Sequence, residues 1–216
     1  MRIARFSLCL LSVNLYKWHN DSMDKTIFST YLTTNLALPE EAIDHLLKDS
    51  RKLHLEPGDF ALRAGDLCKH TFFVEQGLLK QYSIDEKGKE HILLFAPEHW
   101  FASNIESVHF GRPSQYFIEA IEPSQVLLIS PEAIHRLGQC LEEFQSFGTR
   151  LLYTHIATLQ SRVTELQSAD AEERYLQFVR TYPSLTLRVS QKQIASFLGI
   201  TPESLSRVRR ELALRK

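Results

Sequence analysis

Cysteine is scarce in this 216-residue sequence, which contains only Cys9, Cys68 and Cys140. The three residues lie far apart, and they form neither a C-x-x-C pair nor the Cys/His ligand spacing of a zinc site. This scarcity argues against a cysteine-ligated metal centre. It favours free thiols in a reducing cytoplasm.

An apolar run long enough to span a bilayer is also lacking. The one stretch that resembles a targeting segment is N-terminal, where Arg2 and Arg5 precede the apolar residues 6–15 without a small-x-small cleavage site. We therefore expect a cytoplasmic protein with no membrane partner. We further expect that Met23 is the natural start and that residues 1–22 are an extension.

The net charge is small, at -1, which by itself argues against a partner rich in phosphate. The charges are unevenly distributed, however. Residues 188–216 carry seven basic and two acidic side chains, a surplus of +5, whereas the rest of the chain sums to -6. This asymmetry favours a polyanion-binding surface at the C-terminal end only.

Strand patterns dominate residues 52–130. Alternating or β-branched runs at 52–56, 71–75, 78–85, 91–96, 115–121 and 125–129 are separated by Gly, Pro and Asp turns. Many short strands with such turns predict an antiparallel β-roll of the double-stranded β-helix type. With the helices that follow, the fold class is α+β. We expect an N-terminal extension at 1–22, a roll domain at 23–138, a long helix at 139–168 and a C-terminal domain at 169–216.

The long helix, predicted from about residue 140 to 167, carries a narrow apolar stripe with alternating spacings of four and three residues. This stripe could pack on the protein's own roll, but the polar residues between its members favour a two-stranded coiled coil. We therefore predict a homodimer with a seam formed by Leu152, Ile156, Leu159, Val163 and Leu166.

Residues 189–212 have the pattern of a helix-turn-helix. Ser190 can cap a first helix, Gly199 supplies the left-handed conformation of a turn, and Thr201 with Pro202 can begin a second helix. A plain helical hairpin is the alternative. The coincidence of these residues with the basic surplus favours binding of double-stranded DNA.

In helix-turn-helix proteins the start of the second helix contacts base edges, while other polar and cationic residues hold phosphates. We accordingly assign base contacts to Pro202, Glu203, Ser206 and Arg207. Phosphate contacts are assigned to Ser190, Gln191, Lys192, Arg209 and Arg210.

The order of elements resembles the Crp/Fnr family of bacterial transcription regulators from about residue 28 to residue 213. The most specific pieces are residues 199–207, Asp170 with Arg174, residues 57–59, and Gln76 with Gly77. The resemblance implies a cyclic-nucleotide-binding-like roll, a winged helix-turn-helix and a homodimer on a palindromic operator. It also implies RNA polymerase as a partner, and no enzymatic activity.

The same resemblance implies a phosphate cassette in nucleotide-binding members, made of a glycine-glutamate pair and a later arginine-serine pair. Here Ala102-Ser103 and Ser114-Gln115 occupy those positions, so both charged contacts are missing. Arg112 lies two residues away and would need a loop rearrangement to replace the arginine. Leu159 and Gln160 stand where such members carry small hydroxyl residues.

Other effectors of the family are not supported either. An iron–sulfur cluster needs four cysteine ligands, and no haem ligand is identifiable. We therefore identify no cofactor and no metal, do not expect a cyclic nucleotide, and leave the effector unknown. A less charged ligand would be lined by Trp100, Phe101, Ser103, Asn104, Ser114, Gln115 and Tyr116. These residues could equally fill the roll interior.

Two alternatives belong to other classes. A cupin-like metal-dependent enzyme would use His91 and His99 with Glu90 or Glu98, but a histidine-x-histidine pair is missing. A ligand-sensing module that regulates a partner protein would use the helical tail as a docking surface.

Overall fold

A computed structural model describes residues 27–36, 40–48, 50–140 and 142–215. These residues cluster into two compact units, which divide between Phe147 and Gly148. The predicted extension at 1–22 and Met23 lie outside the described residues, as does Cys9. The two units are described separately below.

The first unit contains eight strands in two four-stranded antiparallel sheets. The strands are β1 (Arg51–Leu55), β2 (Phe60–Leu62), β3 (Thr71–Gln76), β4 (Leu79–Ile84), β5 (Glu90–Ala96), β6 (Phe101–Ala102), β7 (Phe117–Ala120) and β8 (Ser124–Ile129). The sheet orders are β1-β8-β3-β6 and β2-β7-β4-β5. The predicted antiparallel roll is confirmed, and the short strands β2 and β6 complete its two sheets.

Alternation along the strands builds the roll interior, because successive side chains point to opposite faces of a sheet. On β3, Phe72 and Val74 join the interior cluster, whereas Phe73 faces the other way. The interior is apolar and draws on both sheets, as Leu79, Ile118 and Val126 illustrate.

Three helices accompany the outer face of the first sheet. They are α1 (Ile27–Leu36), α2 (Glu40–Lys48) and α4 (Pro131–Cys140). Phe28 and Leu32 of α1 pack with Phe73 and Leu127 in a second hydrophobic cluster. Three short elements of the roll were not predicted: the strands β2 and β6, and the helix α3 (Ile105–Phe110), which begins at the capping residue Asn104.

The second unit is helical throughout its described residues. Its helices are α5 (Glu142–Ser168, of which the part from Gly148 onward belongs to this unit), α6 (Ala171–Thr181), α7 (Leu185–Arg188), α8 (Gln191–Leu198) and α9 (Pro202–Leu214). The predicted long helix and helix-turn-helix are therefore present. The strands of a wing have no counterpart between residues 142 and 215, where the turn of helix α7 occupies the segment between α6 and the helix-turn-helix.

Within the described ranges, no helix combines the length and apolar character needed to cross a membrane. Nor do the described residues bring three or more His, Cys, Asp or Glu side chains together in an arrangement suited to a metal ion.

Candidate nucleic-acid interface

The first helix of the helix-turn-helix, α8, begins at a reciprocal cap. The Ser190 Oγ accepts a hydrogen bond from the Gln193 backbone N–H at 3.2 Å, and the Gln193 side chain accepts one from the Ser190 N–H at 2.9 Å. Such a capping box satisfies two donors that a helix start leaves unpaired. Ile194, Ala195 and Leu198 are buried, as the helical spacing predicted.

The turn between α8 and α9 depends on Gly199, whose φ is +68°. This left-handed conformation costs residues with a Cβ roughly 1–2 kcal/mol, while glycine adopts it freely. A Cβ at this position would also stand 3.4 Å from Leu166 Cδ2 on α5. The turn therefore requires glycine for its backbone and lies close to the long helix.

The second helix, α9, begins at Thr201, whose hydroxyl accepts a hydrogen bond from the Ser204 N–H at 3.2 Å. Pro202 occupies the first turn, where no backbone donor is needed. Leu205 and Val208 are buried against the unit. Since these residues fix the inner face, the outer face of α9 is free to meet a partner.

All four residues predicted to contact bases lie on that outer face. Pro202, Glu203, Ser206 and Arg207 are exposed and belong to the first two turns of α9. Hydrogen bonds from its own backbone N–H and from the Thr201 side chain lower the pKa of Glu203. Glu203 therefore stays ionised at neutral pH and can accept hydrogen bonds from base amino groups.

The predicted phosphate-contacting residues flank this surface. Ser190, Gln191 and Lys192 are exposed at the start of α8, and the Ser206 hydroxyl donates to Gln191 Oε1 at 3.4 Å. The start of α8 and the outer face of α9 thus form one continuous surface.

The predicted phosphate-contacting side chains differ in how accessible they are to a phosphate. The Ser190 hydroxyl already donates to Gln193 Oε1 at 2.9 Å, so a phosphate contact there has to exchange that bond. On α9, Arg210 is exposed and Arg209 is half-buried. The side chains of Lys192 and Arg210 therefore have the most open access to a polyanion.

The predicted dimer seam is an exposed apolar stripe along α5. Its five members, which are 43–53% exposed in the single chain, are Leu152, Ile156, Leu159, Val163 and Leu166. At a rise of 1.5 Å per residue the stripe is about 21 Å long. A stripe of large apolar side chains in contact with water is typical of a surface that a partner covers.

In the roll, three of the predicted effector-pocket residues bond to one another. The Asn104 Nδ2 donates to Ser114 Oγ at 2.8 Å, and Ser114 Oγ donates to the Tyr116 carbonyl at 2.9 Å. The Asn104 Oδ1 accepts from the Ser107 N–H at 3.1 Å as the cap of α3. Asn104 and Ser114 are both buried, so their polar groups serve the loop itself.

The other predicted pocket residues are scattered. Gln115 is exposed, Ser103 offers its carbonyl to Gln81 Nε2 at 3.4 Å, and Trp100 packs against the interior cluster. Phe101 faces outward and packs with Phe73. This corrects its assignment to the pocket, because the alternation of β6 puts Ala102 inside the roll and Phe101 outside it.

Arg112, the residue nearest to the missing arginine, is exposed. Its Nη1 pairs with Glu106 Oε1 at 2.9 Å. A role in binding a phosphate would require this ion pair to break and the loop to move.

The residues of the cupin alternative have unrelated partners. The His91 Nε2 lies 2.8 Å from Asp85 Oδ2, and Glu90 lies 3.1 Å from Lys80 Nζ. Glu98 accepts from the Gly77 N–H at 3.2 Å, and the ring of His99 stacks on Phe73. These contacts assign the side chains to different parts of the surface and do not support a shared metal site.

The fold and this surface define the class of the protein: a helix-turn-helix protein with a sensor-type β-roll. Comparisons with known proteins agree. A sequence model of the cyclic nucleotide-binding domain matches residues 52–140. Electron transport regulator A of Shewanella oneidensis is 26% identical over 171 residues, which cover 73% of this chain and 67% of that protein.

A second relative is the fumarate and nitrate reduction regulatory protein of Escherichia coli, 27% identical over 181 residues, which cover 78% of this chain and 70% of that protein. Among solved structures, FixK2 from Bradyrhizobium japonicum aligns with a TM-score of 0.64 at 16% identity, over 77% of this chain and 85% of that one. Thermus thermophilus catabolite activator protein aligns with a TM-score of 0.53 at 19% identity, over 85% and 87%.

These findings support membership of the Crp/Fnr family of transcription regulators. These relatives are regulators and not enzymes, so the comparisons do not favour the cupin alternative.

Proposed function

We propose that this regulator binds a two-fold symmetric operator as a homodimer, with α9 of each protomer in the major groove. The observation that carries the proposal is the exposed surface formed by the first turns of α9 and the start of α8. There Glu203, Ser206 and Arg207 can reach base edges, while Lys192, Arg209 and Arg210 can hold phosphates. The basic surplus of residues 188–216 supplies the electrostatic attraction.

The exposed apolar seam on α5 supports the homodimer. A symmetric dimer places two equivalent helix-turn-helix surfaces about 34 Å apart, one turn of DNA, so that each can read one half-site. The working division is a sensor-type roll at 23–138, a dimer helix at 139–168 and a DNA-binding domain at 169–216. Such a protein acts in the cytoplasm on transcription by RNA polymerase.

The sensor-type roll, in this proposal, does not bind a cyclic nucleotide. A cyclic phosphate needs a cation and several donors. In this chain Ser114 stands at the arginine position and bonds to Asn104 and Tyr116, while Arg112 pairs with Glu106. An effector of this roll would be less charged.

The DNA proposal is tested by selecting binding sequences from a random pool and measuring affinity at several salt concentrations. We expect an inverted repeat whose half-site centres are about one helical turn apart. Arg207→Ala should cost about 1–3 kcal/mol and relax preference at one base position, whereas Lys192→Ala should weaken all sequences alike. The control Arg150→Ala removes the same charge from α5 and should change neither property. Absence of salt-dependent binding to any sequence would refute the proposal.

The seam is tested by sedimentation. Leu159→Glu introduces a charge into the apolar stripe and should convert the dimer to a monomer at micromolar concentration. Ala157→Glu is the matched control, because Ala157 is exposed on the polar face of the same helix. Equal effects of the two substitutions would show that α5 pairs by another face.

A further inference from the structure

The C-terminal end of α8 leaves four carbonyl groups without partners inside the helix, as any helix end does. Two are satisfied by the following turn: the Gly199 N–H donates to the Ser196 carbonyl at 3.1 Å, and the Ile200 N–H donates to the Ala195 carbonyl at 3.0 Å. This pair of bonds is a Schellman motif. The carbonyls of Phe197 and Leu198 remain to be satisfied.

Two arginines from outside the helix-turn-helix satisfy them. The Arg162 Nη2, from α5, donates to the Phe197 carbonyl, and the Arg174 Nη1, from α6, donates to the Leu198 carbonyl at 2.9 Å. Cations at this position also interact favourably with the negative end of the helix dipole. Each of the two preceding helices therefore contributes one guanidinium to the end of α8.

Arg162 makes a second contact with the same residue. Its guanidinium carbon lies 4.0 Å from the centroid of the Phe197 ring, a distance typical of a cation–π interaction. The other side of this contact is anchored, because the Phe197 ring packs on Phe178 and Tyr182 of the α6 region. Burial lowers the pKa of the Arg162 guanidinium, while neighbouring Glu165 raises it.

Arg162 thus joins α5 to the helix-turn-helix through two contacts with Phe197, a hydrogen bond to its carbonyl and a contact with its ring. The turn also approaches α5 at Leu166, whose Cδ2 lies 3.4 Å from the position of a Cβ on Gly199. Leu166 belongs to the predicted seam, so the partner protomer of a dimer would also contact it. The planar guanidinium, with its fixed donors, is suited to define an angle between helices.

We propose that Arg162 is a positioning residue that sets the orientation of the DNA-reading surface relative to the dimer helix α5. The inference rests on the proposed function. Since α9 packs on α8, a rotation of α8 about its contact with α5 moves α9 with it. In a dimer, both recognition surfaces would then be displaced from two successive major grooves at once. Arg162 therefore controls DNA affinity without touching DNA.

The test uses Arg162→Ala and Arg162→Lys in the full chain, with a selected operator as the probe. Arg162→Ala should lower operator affinity about tenfold, which corresponds to about 1.4 kcal/mol. The slope of log affinity against log salt should stay unchanged, because no phosphate contact is lost. Arg207→Ala should lower affinity as well, but with altered base preference. Arg162→Lys, which keeps the charge but not the planar stack, should give an intermediate loss.

A distance measurement distinguishes a positioning role of Arg162 from a general contribution to stability. Spin labels at positions 160 and 213, in chains diluted with unlabelled protein, report the distance between α5 and the end of α9. Arg162→Ala should broaden or shift this distribution at temperatures where thermal melting shows the chain fully folded. Arg150→Ala, the charge-matched control on α5, should not.

The outcomes are distinguishable. An unchanged distance distribution with unchanged operator affinity overturns the inference, as does a reduced salt slope for Arg162→Ala, which would make Arg162 a phosphate contact. If Arg162→Ala does not fold, Arg162→Lys carries the same comparisons. If the parent protein binds no DNA, the proposed function fails, and the spin-label distances still decide whether Arg162 orients the helix-turn-helix.

Discussion

The substitution Ser114→Ala removes a single oxygen atom, yet it should destabilise the roll strongly. The Ser114 Oγ accepts from Asn104 Nδ2 at 2.8 Å and from the Tyr116 N–H at 3.0 Å, and it donates to the Tyr116 carbonyl at 2.9 Å. Asn104 and Ser114 are 4% and 3% exposed, so water cannot replace these partners without opening the loop. Ser114→Ala therefore removes the acceptor of the buried Asn104 Nδ2 and of the partly buried Tyr116 N–H.

The magnitude follows from these contacts. A buried donor without a partner costs about 1–3 kcal/mol, so we expect Ser114→Ala to lower the free energy of unfolding by about 2–4 kcal/mol. With a urea slope of about 2 kcal/mol per molar, the midpoint falls by about 1–2 M. Asn104→Ala should cost about 2 kcal/mol through loss of the α3 cap and of the bond to Ser114. Because the two residues share a bond, the double variant should cost less than the sum.

The assay is urea unfolding followed by the fluorescence of Trp100, which packs against the roll interior. The sequence has two tryptophans, so the measurement uses a Trp18→Phe background. Ser103→Ala is the control, since its carbonyl, and not its hydroxyl, accepts the bond from Gln81. A Ser114→Ala midpoint within about 0.2 M of the parent, or strictly additive single effects, would refute the proposed network.

Three further predictions concern the turn at Gly199, the second sheet of the roll, and the absence of cyclic-nucleotide binding. Gly199→Ala should destabilise the helix-turn-helix unit by about 1–2 kcal/mol, and so lower its melting temperature, because of the positive φ at this position. Gly138→Ala, in a helix where an added Cβ has no near neighbour, is the control and should not destabilise. Burial, and next the hydrogen bond to Glu119, raise the pKa of Tyr82 in the folded roll. The unfolded chain therefore loses this proton at a lower pH than the folded chain does. The stability of the roll should consequently fall above about pH 10, and it should fall more steeply in the parent than in Tyr82→Phe. Addition of millimolar cyclic AMP should leave the melting temperature of the roll unchanged, and a rise that depends on ligand concentration would contradict the proposal that no cyclic nucleotide binds.

The strands and helices were predictable where one period held over many residues. The run at 52–56 alternates between polar and apolar residues, and β1 spans Arg51–Leu55. Helix α3 was missed because six residues are too few for a period, although the cap at Asn104 and the left-handed Gly111 were both visible signals. The inward or outward direction of Phe101 depends on how β6 pairs with β3, which no local pattern specifies.

The residues of the candidate site also fall into two groups, those that local spacing predicts and those whose contacts depend on the tertiary structure. Caps and the turn of the helix-turn-helix are local, so Ser190, Gly199 and Thr201 could be assigned from spacing alone. The contact between Arg162 and Phe197 joins residues 35 positions apart. Its existence depends on the angle at which α5 meets the helix-turn-helix. Tertiary contacts of this kind leave no periodic trace in a sequence.

The uneven distribution of charge has a consequence for specificity. A protein with a net charge of -1 has little general attraction for DNA, but residues 188–216 carry a surplus of +5 and the rest of the chain sums to -6. The acidic remainder repels phosphates on balance, so the electrostatic attraction for a duplex is concentrated in residues 188–216. Non-specific binding is then weak, and its dependence on salt is shallow, because few phosphates are neutralised. In the proposed dimer, tight binding then requires that both recognition surfaces fit the operator together, and affinity is expected to be sensitive to the orientation that we propose Arg162 sets.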